Sequence, residues 1–337
     1  MADIELKTNV RLGVVPTHVK FVGGLVPDDD GKLPRGDDGR LLVVANLEKL
    51  SRESRVKISM GQVPIFPGLD VGDAAEMVNG IKGLGMDVHF ILMIGGADPM
   101  KPEDEDAVAD MLIAGLSAAK EHGIEHVSST SIEEWIQAGA VAKTGADFDA
   151  AVAQTVKVHT RAVREAGVNG SSIKNWHFEF LRSGEFQTFT DVRKAWTVAQ
   201  AANAELGAGK FFKVLVDAAH CGDSSLSIPE NIETIGQIAQ ADELGIFHAS
   251  AKTTRGCLST DDGWIGALLT AAARSGKLQH VFVEVFHHED PALQALRDLD
   301  PGHGLDTTDG RTYDEVVLDG LVDVARRLNN LILRGML

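Results

Sequence analysis

The chain has 337 residues, a mass of 36.0 kDa and a formal net charge of −17 at neutral pH. Nucleic acid or an anionic membrane surface as main partner would need concentrated positive charge, and the sequence has no dense Lys/Arg run. Its two cysteines exclude a disulfide-rich scaffold and favour a reducing compartment. Residues 1–10 lack the apolar region of a signal peptide, and no apolar run is long enough to cross a membrane, so we expect a cytoplasmic protein.

Short apolar segments alternate with longer amphipathic segments along the chain. The short segments predict strands, and they are residues 10–16, 56–61, 86–96, 125–131, 173–181, 211–220, 246–251 and 280–286. Apolar residues recur at helical spacing in segments 106–123, 148–167, 189–207, 229–245 and 312–335. Eight strand–helix units predict an α/β fold of the (β/α)₈ TIM-barrel type.

A doubly wound parallel sheet is the competing architecture. Its nucleotide-binding forms carry a Gly-rich loop after the first strand or a phosphate-binding loop, and neither motif occurs here. We therefore predict a single TIM-barrel domain over residues 1–337, with insertions near 23–39, 97–106, 128–147 and 287–310. Most of these insertions come directly after predicted strands, which is where such barrels place their active sites.

Four ionisable residues lie near the carboxyl ends of the last four predicted strands. They are Glu179, Asp217, His248 and Glu284. Charged groups in apolar strands are costly unless they are paired or bind a cation. The simpler alternative to a metal site is a set of buried ion pairs without a metal. Three carboxylates and one imidazole suit Mn²⁺, Mg²⁺ or Co²⁺ better than a structural zinc. The sequence therefore predicts a divalent-metal site at the barrel mouth.

These four residues resemble the metal ligands of xylose isomerase-like barrels, a superfamily that includes sugar isomerases and ketose 3-epimerases. The resemblance covers residues 170–290 well and the first half only in outline. It implies Mn²⁺ as the favoured cofactor, with Mg²⁺ or Co²⁺ as alternatives, and a small sugar or glycoside as substrate. It also implies that Glu185, six residues after Glu179, and His220, in Asp-Ala-Ala-His, bind substrate together with Arg255.

Epimerisation, isomerisation and elimination all begin with proton removal beside the sugar carbonyl, so the metal ligands alone do not distinguish these three reactions. His177 lies two residues before Glu179 on the same predicted strand face and would add an acid/base group of near-neutral pKa. This His-x-Glu pattern and the long loops look similar to the α subunit of C-glycoside deglycosidases, metal-dependent lyases that work with a small β subunit. A second interpretation of His177 is that it only orients Glu179.

The favoured hypothesis is thus a C–C bond-cleaving lyase acting on 3-oxo-C-glycosides, with His177, Glu179 and Glu284 as catalytic residues. The alternative within the same class is a ketose 3-epimerase or an aldose–ketose isomerase. A metal-dependent hydrolase of the endonuclease IV type is disfavoured by the acidic charge. A non-catalytic assembly subunit stays open, and the deglycosidase resemblance itself implies a homo- or hetero-oligomer.

Overall fold

A computed structural model describes residues 3–16, 25–207, 209–251, 263–285, 294–299 and 310–337. Within these ranges, eight parallel strands form a closed barrel in which each strand pairs with the next and β8 pairs with β1. The strands are β1 (Arg11–Val14), β2 (Met60–Ile65), β3 (Asp87–Leu92), β4 (His126–Ser129), β5 (Asn175–Glu179), β6 (Phe212–Asp217), β7 (Leu244–Ala249) and β8 (His280–Val283). The predicted (β/α)₈ TIM barrel is therefore confirmed.

Helices in the connections surround this barrel. Within the described ranges they are α1 (Leu42–Glu53), α2 (Val71–Gly83), α3 (Glu105–Glu121), α4 (Ala146–Glu165), α5 (Val192–Leu206), α6 (Ala218–Asp223), α7 (Ile228–Gln240), α8 (Trp264–Arg274), α9 (Gln294–Leu299) and α10 (Tyr313–Leu333). Two of them, α7 and α10, begin with complete capping boxes, at Ser227 and Thr312. None of the described helices is both long and apolar enough to span a membrane.

Hydrophobic side chains are buried in two places. The larger core lies between strands and helices, and together with the barrel interior it explains why β2 is buried at every one of its six positions. A smaller cluster fills the barrel interior and consists of Val15, Met60, Leu215, Ile246 and Phe282. Phe282 lies midway between His280 and Glu284 on the same strand face, so this apolar layer separates the two ends of the barrel.

The segment boundaries differ from the sequence prediction at several points. The second strand lies at Met60–Ile65 rather than at 56–61, because the buried run continues through Pro64. The helix predicted over 229–245 ends at Gln240, since Leu244 already begins β7. The helical segments named in the prediction did not include α1, α2, α6, α8 or α9. The insertions predicted near 23–39 and 287–310 lie partly outside the described residues, and the single-domain organisation stays a prediction.

Candidate metal centre

The four predicted metal ligands, Glu179, Asp217, His248 and Glu284, here called the quartet, lie together at the carboxyl ends of β5 to β8. Each offers one ligand atom, and these atoms all lie within 4.8 Å of one another. Glu179 and Asp217 are the last residues of β5 and β6, His248 is the fifth residue of β7, and Glu284 directly follows β8. All four are buried, with Glu179 the most exposed at 7%. Neighbouring parallel strands thus bring four hydrophilic groups to one point inside the barrel.

The orientation of His248 is fixed by a side chain of β2 that contacts the ring nitrogen facing away from the carboxylates. His248 Nε2 donates to Gln62 Oε1 at 2.7 Å, because an amide oxygen can only accept. Gln62 is held in turn, since its Nε2 donates to Ser128 Oγ at 2.7 Å. The other ring nitrogen, Nδ1, faces the carboxylates and lies 3.4 Å from Glu284 Oε2, 3.6 Å from Glu179 Oε1 and 3.9 Å from Asp217 Oδ2.

The electrostatics of this arrangement favour positive charge between the carboxylates. Burial alone would lower the pKa of His248, but the carboxylates of Glu284 and Glu179 raise it well above its usual value. For Glu179, burial raises the pKa, whereas His248 and His220 lower it and leave it below its usual value. Three carboxyl groups facing one imidazole carry more negative charge than a single proton on His248 balances. The donor set therefore fits a divalent cation coordinated by oxygen and one nitrogen.

Two of the three predicted substrate-binding residues lie beside this group. His220 Nδ1 is 3.4 Å from Glu179 Oε1, and His220 Nε2 is 4.0 Å from Glu185 Oε2. Asp217 caps the start of α6, because its side chain accepts a hydrogen bond from the backbone N–H of His220 at 2.7 Å. This cap places the imidazole of His220 beside the quartet. Glu185 is only 5% exposed and accepts from Trp135 Nε1 at 3.2 Å, so it is not a surface charge. Arg255 lies outside the described residues.

His177 lies deeper in the barrel than the quartet. Its Nε2 is 3.5 Å from Nδ1 of His126, the first residue of β4, and its ring lies where a Cβ on Gly245 would come within 2.2 Å of Nδ1. Burial lowers the pKa of His177 well below its usual value, and His126 and His280 lower it further. The near-neutral pKa expected from the sequence is therefore corrected, while its catalytic role stays a prediction.

Sequence analysis missed two residues that support the centre. Gln62 was not identified because the predicted second strand ended at residue 61, one position before it, yet a fully buried amide within an apolar strand is a signal of a specific partner. Glu133 is 3% exposed and accepts backbone hydrogen bonds from Gln187, Thr188 and Phe189 at 2.8–3.1 Å. These bonds hold the segment that comes after Glu185.

No protein-family model matches this sequence, and no curated protein matches it. Solved structures share its fold. An L-ribulose 3-epimerase structure superposes with a TM-score of 0.71 at 13% identity and covers 97% of both chains. D-psicose 3-epimerase from Clostridium cellulolyticum H10, solved with D-tagatose, gives 0.66 at 13% identity and covers 95% of this chain and 99% of its own. A xylose isomerase domain protein from Planctomyces limnophilus gives 0.53 at 15% identity, over 87% and 94%. The chain therefore has the barrel fold of xylose isomerase-like sugar epimerases and isomerases.

Proposed function

We propose that this chain is a divalent-metal-dependent ketose 3-epimerase whose metal ligands are Glu179, Asp217, His248 and Glu284. The observation that carries the proposal is the convergence of three buried carboxylates on Nδ1 of His248, at the end of the barrel where enzymes of this fold carry their active sites. Mn²⁺ is the favoured ion, because this hard, oxygen-rich set with one imidazole suits it.

Two carboxylates supply the acid and base of the reaction. A divalent cation held at this point would polarise a sugar carbonyl and acidify the neighbouring C–H. Glu179 and Glu284 approach from β5 and β8, three strands apart around the barrel, so they flank a substrate from different sides. One carboxylate, in its ionised form, would remove the proton, and the other, in its protonated form, would deliver its own solvent-derived proton to the opposite face of the same carbon, which inverts that carbon.

Epimerisation is favoured over the C–C cleavage predicted from the sequence. The lyase hypothesis used His177 as a third acid/base group near neutral pKa, but burial keeps this imidazole neutral and its Nε2 faces His126 rather than the quartet. The fold is shared with solved structures named L-ribulose 3-epimerase and D-psicose 3-epimerase. Both observations support proton exchange at one carbon of a free ketose.

Substrate hydroxyls are assigned to the residues beside the quartet. His220 lies between Glu179 and Glu185 and offers an imidazole next to the proposed proton acceptor. Glu185 is fixed by Trp135 and presents a carboxylate that binds hydroxyl groups by charge-assisted hydrogen bonds. Arg255 completes the proposed substrate contacts.

The decisive experiment is solvent isotope exchange with an unlabelled ketose. With Mn²⁺ restored to metal-free protein, we expect deuterium from D₂O to enter C3 of fructose or psicose, together with interconversion of the two sugars. Glu284→Gln should reduce exchange by about 10²–10⁴-fold, since it removes a proton-transfer group. Glu243→Gln is the matched control, because Glu243 is a fully buried glutamate that contacts Asn203 and Lys210 instead.

Two outcomes would contradict the proposal. Full activity in protein stripped by a chelator would remove the metal from the mechanism. Release of the aglycone from a 3-oxo-C-glucoside, without isotope exchange into free ketoses, would instead favour the lyase.

A further inference from the structure

A second group of histidines lies at the opposite end of the barrel from the quartet. It consists of His89, His126 and His280, here called the lower histidine cluster. His126 and His280 are the first residues of β4 and β8, and His89 is the third residue of β3. His280 precedes Glu284 by four residues on one strand, which corresponds to about 13 Å at 3.3 Å per residue.

The three rings converge inside the barrel. One ring nitrogen from each residue lies within 4.8 Å of the others. The ring centroids are 4.7 Å apart for His126 and His280, 4.9 Å for His89 and His126, and 5.0 Å for His89 and His280. The ring of Phe282 contacts His89 on one side and His248 on the other, at centroid distances of 5.1 and 6.1 Å. A phenyl ring therefore separates the lower histidine cluster from the quartet.

Each imidazole of this cluster, when neutral, has one ring nitrogen with a lone pair that a metal ion can bind. His89 is 2% exposed, and its Nδ1 has no hydrogen-bond partner among the described residues. Burial lowers the pKa of His126 to about 4 and that of His280 to about 3, so both imidazoles are neutral at neutral pH. Metal ions bind imidazole in this neutral form.

The surroundings provide support and access. His177 Nε2 lies 3.5 Å from Nδ1 of His126, which is the contact by which a second residue orients a ligand imidazole. Cations near the cluster include Arg11, Lys174 and Lys213. The guanidinium of Arg11 donates to the carboxylate of Asp87 and to the carbonyl of Ser59, and Lys174 pairs with Glu125. His126 and His280 are only partly buried, so solvent reaches the cluster from the amino-terminal face.

We propose that the lower histidine cluster binds a first-row transition metal ion of the zinc type, with His89, His126 and His280 as ligands. Three imidazoles with water in the fourth position form a tetrahedral site for Zn²⁺ or Co²⁺. Ligand bonds of about 2.1 Å place the nitrogens about 3.4 Å apart, so the rings draw together from their present spacing. The ion would link β3, β4 and β8 at the amino-terminal end of the barrel. This proposal does not depend on the proposed epimerase activity.

The test uses full-length protein in which the quartet is disabled by Asp217→Asn and Glu284→Gln. We expect this double variant to bind one equivalent of Co²⁺ with the intense visible absorption of a tetrahedral nitrogen site, and Zn²⁺ to displace it. Adding His280→Gln should weaken Co²⁺ binding at least about tenfold, because it removes one of three ligands. His122→Gln is the matched control, since His122 is also partly buried but packs against Phe90 outside the cluster.

Circular dichroism checks that each variant folds. A second ligand variant, His126→Gln, repeats the test at another position of the cluster. The proposal is overturned if the folded double variant binds neither Co²⁺ nor Zn²⁺ at micromolar concentrations. It is equally overturned if His280→Gln and His126→Gln bind the ion as tightly as His122→Gln does. Loss of sugar exchange in these proteins would reflect the quartet substitutions and does not bear on the result.

Discussion

Replacing Gln62 by leucine tests whether the hydrogen bond between His248 and Gln62 holds the quartet in place. Leucine has nearly the volume of glutamine but offers no acceptor, so the Nε2–H of His248 loses its partner at 2.7 Å. The hydroxyl of Ser128 loses its donor at the same time. No atom of the quartet is removed by this change, which makes Gln62 a positioning residue.

The expected magnitude depends on burial. Gln62 is 0% exposed and His248 is 1% exposed, so water cannot replace the lost hydrogen bond. A buried polar group without a partner costs about 1–3 kcal/mol, and the added apolar burial offsets part of it. We expect the free energy of unfolding to fall by about 1–3 kcal/mol. Metal affinity should fall by about 10–100-fold, because the ring and its tautomer are no longer fixed.

Calorimetric titration of metal-free protein with Mn²⁺ measures the affinity, and urea unfolding measures the stability. Ser128→Ala is the matched control, since it removes the outer hydrogen bond but leaves the contact between Gln62 and His248. Its effect on Mn²⁺ affinity should be several times smaller. Gln62→Glu restores the acceptor and should retain Mn²⁺ binding. A folded Gln62→Leu protein that binds Mn²⁺ within about twofold of the unsubstituted chain would refute the reasoning.

Three further substitutions test other parts of the barrel. Burial lowers the pKa of His159 to about 4, so the unfolded chain binds a proton between about pH 6.5 and 4 while the native one does not, and stability falls as pH falls through that window. From pH 7 to pH 5 urea unfolding should show a loss of about 2 kcal/mol from this residue, absent in His159→Asn. Gly245→Ala should lower the unfolding free energy by about 1–3 kcal/mol, because its Cβ would lie 2.2 Å from His177 Nδ1 and 2.8 Å from the Val214 carbonyl; an unchanged urea midpoint would contradict this. Glu243→Leu removes the acceptor of Lys210 Nζ at 2.8 Å and should lower the free energy of unfolding by about 2–4 kcal/mol, as measured in urea. Mn²⁺ affinity should not change. Reduced Mn²⁺ binding would show that the region around Glu243 is coupled to the quartet.

The quartet could be predicted from the sequence because its information is local. Each of its residues stands out as an ionisable group near the end of an apolar strand, and alternation along a strand determines which face it occupies. Once eight strand–helix units indicate a closed barrel, the carboxyl ends of consecutive strands must meet on one rim. The approach of Glu179, Asp217, His248 and Glu284 can then be inferred without any knowledge of the register between strands.

Gln62 and the lower histidine cluster could not be predicted in the same way. His89 and His280 lie on β3 and β8, which are not neighbours in the barrel and meet only across its interior. Whether two such side chains reach the same depth depends on the stagger of the strands, which no single strand encodes. The sequence thus indicates that His177 shares a face with Glu179 but not that it contacts His126.

The apolar layer inside the barrel is what allows polar groups at both ends. Leu215 and Phe282 are fully buried in this layer. Leu215 lies two residues before Asp217, and Phe282 lies two residues from both His280 and Glu284, so each shares a strand face with these polar residues. Without that layer, the quartet and the histidines would share one cavity, and water or protons could pass between them. A phenyl ring between His89 and His248 keeps the carboxylates in a region of low polarity, where their attraction for a cation is strongest. Phe282→Ala should therefore weaken Mn²⁺ binding at the quartet although Phe282 is not one of the proposed ligands. An Mn²⁺ titration identical to that of the unsubstituted chain would show that the layer serves packing alone.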